Sequence, residues 1–417
     1  MKRKFIAAGA ALLATALIGQ TVSAKTLEDV LKEKGVITEE DYKSVTKVKP
    51  IDYKLGKGFT FTSQDEKFQL SLGGRLQVRY TFFDNDQNAA PGSSDVSQWR
   101  VRRMKMWMSG HAYTKDLTYK LQVNFADGGS SKLLEDAYLN YKFLNEAQIL
   151  AGQDKVPFSR QELTSSGAQE FVDRSNATDT FKPGRDVGVM AHGKFCEGLV
   201  EYAAGWYNGE GQSQVNRPSV NSNDNAAAAR IEFNPLGYMK KSEADLEYSE
   251  KPLVSIGADY YYNSFVRGDT NNNVTFYGTS GWMNQGAKFA ANENIPVNTW
   301  SADLAFKWLG AFAEAEYYWG QADGDVSNIK QRAQGFYAQA GYFIIPKHLE
   351  AAFRYSYVDP DRDVANNNRT ETQGAISYYF NQHNLKLQAD ITGIHQQRVS
   401  AAARDDMQYR LQAQIIF

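Results

Sequence analysis

From Asp406 to the end of the chain, apolar and polar residues alternate. Met407, Tyr409, Leu411, Ala413, Ile415 and Phe417 share one face, and Asp406, Gln408, Arg410, Gln412 and Gln414 share the other. A period of two is strand geometry. One apolar and one polar face mean that one side meets lipid or core and the other meets water. The pattern recurs upstream. Phe68, Leu70, Leu72, Leu76, Val78, Tyr80 and Phe82 alternate with Gln69, Ser71, Arg75, Gln77 and Arg79. Trp300 to Trp308, Ala351 to Tyr357 and Leu385 to Ile391 behave alike. Such runs predict about sixteen strands, near 67–84, 97–112, 116–126, 133–143, 147–154, 186–195, 198–208, 226–234, 253–264, 299–309, 310–320, 333–345, 348–358, 369–381, 384–395 and 406–417.

The connections alternate in length. Cys196-Glu197-Gly198, Leu309-Gly310, Pro346-Lys347 and Asn381-Gln382-His383 are tight, whereas 84–98, 208–225, 267–298 and 359–368 are long and polar. Short turns at one rim and long loops at the other describe a transmembrane antiparallel β-barrel of the outer-membrane type, with a water-filled lumen. A soluble sandwich does not need that contrast. The connection 155–185 stands apart as long and rich in paired charge. It carries Lys155, Arg160, Arg174, Lys182 and Arg185 among Glu162, Glu170 and Asp173, with Phe158, Phe171 and Phe181. A loop of that length is functional or disordered. Its paired charges and aromatics predict an ordered constriction loop folded into the lumen.

Both ends of the chain agree with export to a membrane. Lys2, Arg3 and Lys4 precede an apolar run from Phe5 to Gly19 and a small-residue cleavage site, Val22-Ser23-Ala24. Residues 1–24 therefore read as a signal peptide. Residues 25–49 read as a short helical segment on the periplasmic side, stopped first at Gly35, and residues 50–417 as the barrel. The terminal Phe417 resembles the C-terminal signature of outer-membrane barrels. Aromatics make up 13% of the chain, with 24 Tyr and 23 Phe, which suits girdles at two membrane interfaces. Loss of the leader takes the formal charge from -2 to about -5, which excludes nucleic acid as a partner. Cys196 is the one cysteine and reads as a turn thiol with no intrachain disulfide.

Channel selectivity comes from charged groups in a narrow lumen. Arg75 and Arg79 share the polar face of the first strand, and Arg103 and Lys105 share a face of the second, opposite Met104, Met106 and Met108. Together with Arg160 and Arg174 of the loop they predict a basic wall that attracts anions, unless Glu162, Glu170 or Asp173 neutralises it. Glu314 and Glu316 also read as inward. Asp84, Asp86 and Asn88, or Asp359, Asp361 and Asp363, have ligand-like spacing but lack the glycine and glutamate of a calcium loop, so no metal is expected. No HExxH, GxSxG or Walker sequence is present, and no nucleophile–base pair presents itself, so the chain reads as no enzyme and needs no cofactor.

A series of short motifs occurs in order: Leu72-Gly73-Gly74-Arg75-Leu76-Gln77, Arg102-Arg103-Met104, Asp136-Ala137-Tyr138, Gly152-Gln153, Pro157-Phe158, Leu163-Thr164-Ser165-Ser166 and Asp173-Arg174-Ser175. Together they resemble the phosphate-selective porin O/P family. The resemblance implies a sixteen-stranded homotrimeric channel in the bacterial outer membrane, its third long loop inside the pore. Phosphate-specific members carry a lysine directly after that Ser-Ser; here the position is Gly167. Two further lysine positions fall on Asp323 and Arg332, and only Arg267 stands in place of an arginine-rich inner loop. The expected function is therefore passive diffusion of small hydrophilic solutes, favouring anions, with phosphate bound weakly or not at all. A lysine at position 167 is expected to strengthen phosphate block. The alternative is a structural or adhesive barrel with an occluded lumen.

Overall fold

The computed structural model describes residues 27–40, 50–86, 94–127, 133–209, 211–212, 225–266, 282, 289–290 and 293–417. The leader 1–24, Asn88, Arg267 and Asp269 lie outside these. The chain divides into two compact units, residues 1–50 and residues 51–417. In the first, helix α1 (Leu27–Glu33) ends where Gly35 takes a φ of 66° and the Val36 N–H reaches back to the Leu31 carbonyl at 3.0 Å.

The second unit is a closed barrel. Its strands are β3 (Gln69–Asp84), β4 (Val96–Ala112), β5 (Thr114–Asn124), β6 (Leu134–Lys142), β7 (Gln148–Lys155), β8 (Arg185–Phe195), β9 (Val200–Tyr207), β10 (Ala226–Phe233), β11 (Leu253–Val266), β12 (Asn294–Trp308), β13 (Ala311–Asp323), β14 (Lys330–Ile345), β15 (Leu349–Asp359), β16 (Arg369–Asn381), β17 (Leu385–Gln396) and β18 (Arg404–Ile416). Each pairs antiparallel with its neighbours in sequence, and β18 pairs with β3 from Met407 opposite Asp84 to Ile416 opposite Arg75. Among the described residues these are sixteen closed strands, as the alternation predicts. The hairpin β12–β13 is longer than expected. Pro296 obscures its start in the sequence, yet it sits opposite Ser264 near the strand end, where a missing donor costs little.

The hairpin of β1 (Ile51–Lys54) and β2 (Gly58–Thr62) was not foreseen. β2 pairs with Gln69–Leu72 of β3, immediately beyond the stretch that β18 covers. At the junction, Gly74 and Phe417 exchange backbone hydrogen bonds of 2.8 and 3.0 Å. The Phe417 ring lies 2.6 Å from where a Cβ on Gly74 would be, so a side chain there would displace that ring from the seam. The outward face is apolar: Trp99, Leu139, Ile231, Leu304, Phe353, Ile376 and Leu411 are exposed on it. No helix among the described residues is long and apolar enough to cross a membrane.

Residues 156–184 turn into the lumen, where most are buried. They form two short helices, α2 (Arg160–Leu163) and α3 (Asn176–Phe181), capped by Ser159 and Ser175, whose side chains accept from Glu162 N and Thr178 N. A second inward segment enters from the short-turn rim. Residues 234–252, between β10 and β11, bury Met239, Glu243, Ala244, Asp245 and Leu246. Strand assignment alone left this segment as a plain connection.

Candidate functional site: an off-centre basic conduit

The constriction loop divides the lumen. On the side of β11–β15 it closes against an apolar core, where Phe158 packs against Tyr261 and Tyr318 and Phe181 stacks on Tyr318 with centroids 5.3 Å apart. Trp282 stacks on Phe181 from above. Beneath this core Arg160 is buried among acids. Its Nε donates to Glu314 at 3.1 Å, and its Nη1 lies 3.4 Å from Glu232. Nearby, Asp259, Asp303 and Glu316 come close enough to hold a cation. Arg230 already bridges Asp259 and Asp303, at 2.7 and 2.6 Å, and Ser159 donates to Glu316. Arg160 thus faces away from the open side, contrary to the expectation that it lines the pore. The reason is its position on α2, whose N-terminus is held on the wall by Glu316.

On the side of β3–β10 a cavity of about 1260 Å³ remains open. Among the described residues its lining holds thirteen Lys and Arg against seven Asp and Glu, an excess the whole chain, at -2, does not share. Most of these cations are paired. Lys105 meets Glu135 at 2.5 Å, Lys120 meets Asp136 at 2.7 Å, and Arg185 meets Asp136 at 2.6 Å. Arg174 and Lys182 share Glu162, at 2.9 and 3.2 Å. Burial pushes the Glu162 carboxyl up, but Arg174 and Lys182 outweigh it and hold it below the usual carboxylate range.

Two cations have neutral partners instead. Lys155 donates to the carbonyls of Glu162, Leu163 and Thr164 at the C-terminal end of α2, the negative end of the helix. Arg75 donates to the hydroxyls of Ser165 and Ser166 at 3.1 and 2.9 Å, and its Nε has no partner. Gly167 adjoins it. A Cβ there would lie 2.3 Å from Arg75 Nη1, so the guanidinium already fills the space into which a side chain at 167 would grow.

Asp173 pins the loop to the seam between β3 and β18. Its carboxylate meets Arg79 at 2.5 Å, Arg103 at 3.3 Å, Arg102 at 3.4 Å and Arg410 at 3.6 Å. Arg79 is buried in this contact and in bonds to Gln412 and the Val172 carbonyl, so it does not line the cavity as expected. Arg103 and Lys105 do line it. Arg332 and Asp323 point the other way. Arg332 is exposed on the outward face of β14, opposite buried Gln331 and Ala333, and Asp323 pairs with Lys330. Neither reaches the conduit, because the register of β13 and β14 places both on outward positions near the rim.

Alternation did not reveal Arg102. A bulge opposite Gln77–Val78 inserts it between Arg103 and Val101, so two consecutive arginines reach the lumen. Glu135, Lys120, Arg230 and Lys241 also line the conduit. The parity of Lys120 and Arg230 was readable, but nothing in the sequence singled them out; Glu135 is the extra residue at a register shift in β6, and Lys241 lies between β10 and β11, so alternation marks neither.

A profile of the family described as phosphate-selective porin O and P matches residues 70–417. Porin O of Pseudomonas aeruginosa is 24% identical over 365 residues, covering 81% of this chain and 77% of that one. Two solved structures share the fold. The outer membrane channel DcaP of Acinetobacter baumannii has a TM-score of 0.57 at 16% identity, covering 86% of this chain and 99% of its own. An anion-selective porin from Comamonas acidovorans has a TM-score of 0.54 at 9% identity, covering 83% and 99%.

Proposed function

Because the chain belongs to the phosphate-selective porin O and P family, and is thus an outer-membrane porin of a bacterial cell, we propose that it passes small hydrophilic anions by diffusion along the wall of β3–β10. The excess of Lys and Arg over Asp and Glu in the conduit lining carries this reading. Fixed positive charge in a narrow, low-dielectric passage raises the local anion concentration without a tight site. Arg75, Arg103, Lys105, Lys155, Arg174 and Arg185 are the residues to which we assign the attraction, with Glu162, Ser165, Ser166 and Gly167 shaping the passage. Arg79 and Asp173 hold the loop.

Planar-bilayer recordings test this. Stepwise currents are expected, with reversal potentials in a salt gradient that favour chloride over potassium. Cation selectivity would reject the anion preference, and absence of steps would favour the occluded barrel.

Residues 1–24 are assigned as the secretory leader and 25–49 as a periplasmic segment. The outward apolar face is assigned to lipid and to two further copies of the chain. Cross-linking in mild detergent should therefore stop at three subunits; a monomer at all protein concentrations would refute the trimer.

A further inference from the structure

The constriction loop has a partner that enters from the opposite rim. Other described turns at that rim are tight, such as 196–199, 309–310, 346–348 and 382–384, whereas 234–252 folds inward and is buried at its centre. Its base is tied to the neighbouring turn. Asp245 accepts from Gly310 N at 2.9 Å and from Ser249 N and Oγ at 2.8 Å, while Leu309 N donates to the Ser249 carbonyl. Its tip grips the constriction loop through Glu243. That carboxylate accepts from Gln161 Nε2 at 3.0 Å and from Glu170 N at 2.8 Å, and the Glu243 N–H donates to the Ala168 carbonyl at 2.8 Å. The Glu243 carbonyl takes a fourth bond, from His383 at 3.0 Å.

We propose that 234–252 is a second constriction element and that Glu243 is a positioning residue, holding residues 168–170 of the first loop and thereby fixing the width of the conduit. The argument is one of satisfaction. The middle of the constriction loop has no regular structure, so its backbone needs partners from elsewhere. Lys386 and Gln388 serve the carbonyls of Gln169 and Glu170 from the wall. Glu243 serves the Glu170 N–H and the Ala168 carbonyl from below. Loss of the carboxylate leaves the buried Glu170 N–H without an acceptor and leaves Gln161 Nε2 only its 3.2 Å bond to Gln339. Ser165 and Ser166, just before this stretch, line the conduit, so slack at 168–170 reaches its wall.

The inference rests on the channel reading for its effect on width, but not for its effect on the loop. Hydrogen exchange on wild type, Glu243→Ala and Glu243→Gln separates the two. Exchange in 165–172 is expected to speed up by about tenfold or more in Glu243→Ala, with the strands unchanged and Glu243→Gln between the two. Single-channel conductance of Glu243→Ala should change, with a noisier open state. Unchanged exchange in 165–172 would overturn the positioning role. Faster exchange with an unchanged conductance would overturn the effect on width. If Glu243→Ala fails to fold, Glu243→Gln carries the same comparison, since it keeps one acceptor and loses the other.

Discussion

Replacing Asp173 with asparagine is expected to unseat the constriction loop and raise the anion preference together. One carboxylate there serves Arg79, Arg102, Arg103 and Arg410, with Asp390 relieving only Arg410. Burial pushes the Asp173 carboxyl up, but Arg79, Arg102 and Arg103 overwhelm it, so it lies well below the ordinary range. A depressed carboxyl stabilises the fold above its unfolded pKa of 3.8, and that contribution is lost as pH falls through the folded value. At neutral pH it is fully present. Removing one partner of a buried pair costs about 3–5 kcal/mol; here Arg79, the most buried of the four, would keep only neutral partners, Gln412 and the Val172 carbonyl. A fall in thermal stability of the detergent-solubilised protein, together with a reversal potential shifted further toward the anion limit, is the expected result. A stability equal to wild type would show that the four arginines find other partners, and an unshifted potential would place Asp173 outside the field of the conduit.

The second large effect concerns Gly167, where the position of Arg75 changes what a lysine is expected to do. A lysine at that position should add a donor for phosphate. Its Cβ would instead lie 2.3 Å from Arg75 Nη1 and 3.2 Å from both Arg75 Cδ and Ile416 Cδ1. The backbone of Gly167 has no positive φ, so the obstacle is Arg75 and not strain. Gly167→Lys alone should push the guanidinium off Ser165 and Ser166 and exchange one cation's hold on the loop for another's. Phosphate block of the chloride current should then improve little. Combined with Arg75→Ala, the lysine has room, and one charge-assisted hydrogen bond of about 1.5–3 kcal/mol corresponds to roughly tenfold or more in half-blocking concentration. Micromolar block of the wild-type channel would refute the weak phosphate binding on which this rests.

The strands were legible because lipid and water face opposite sides of the same strand, which imposes period two on every transmembrane segment. The inward turn of 156–184 was legible from charge and aromatic content. What escaped was whatever depended on two segments at once. Arg160 and Arg75 are both arginines near the same loop, yet one is sealed among Glu314 and Glu232 and the other lines the conduit. Only the seating of α2 decides between them. Arg102 escaped because a bulge suspends the alternation that revealed its neighbours. Asp323 and Arg332 were placed by matching short motifs, and a match of motifs does not fix which face of a strand a residue occupies. The segment 234–252 has no repeating pattern to mark it; its burial follows from its contacts.

The seam between β3 and β18 also constrains how the molecule comes together. Gln77 bonds Gln414 and Arg79 bonds Gln412, partners 337 and 333 residues apart in the chain. The same side chains grip the constriction loop: Gln77 donates to the Ser166 carbonyl, Gln414 to that of Gly167 and Arg79 to that of Val172. Sealing the wall and docking the loop are therefore one event, and it waits for the final strand. Loop-closure entropy over so long a span must be met before these contacts form, which makes the last step slow. Until residues 404–416 arrive, β3 presents a bare edge to whatever else is in the compartment. Such a chain has to be delivered to the membrane unfolded and shielded, and the first strand of the barrel wall is the one that waits longest.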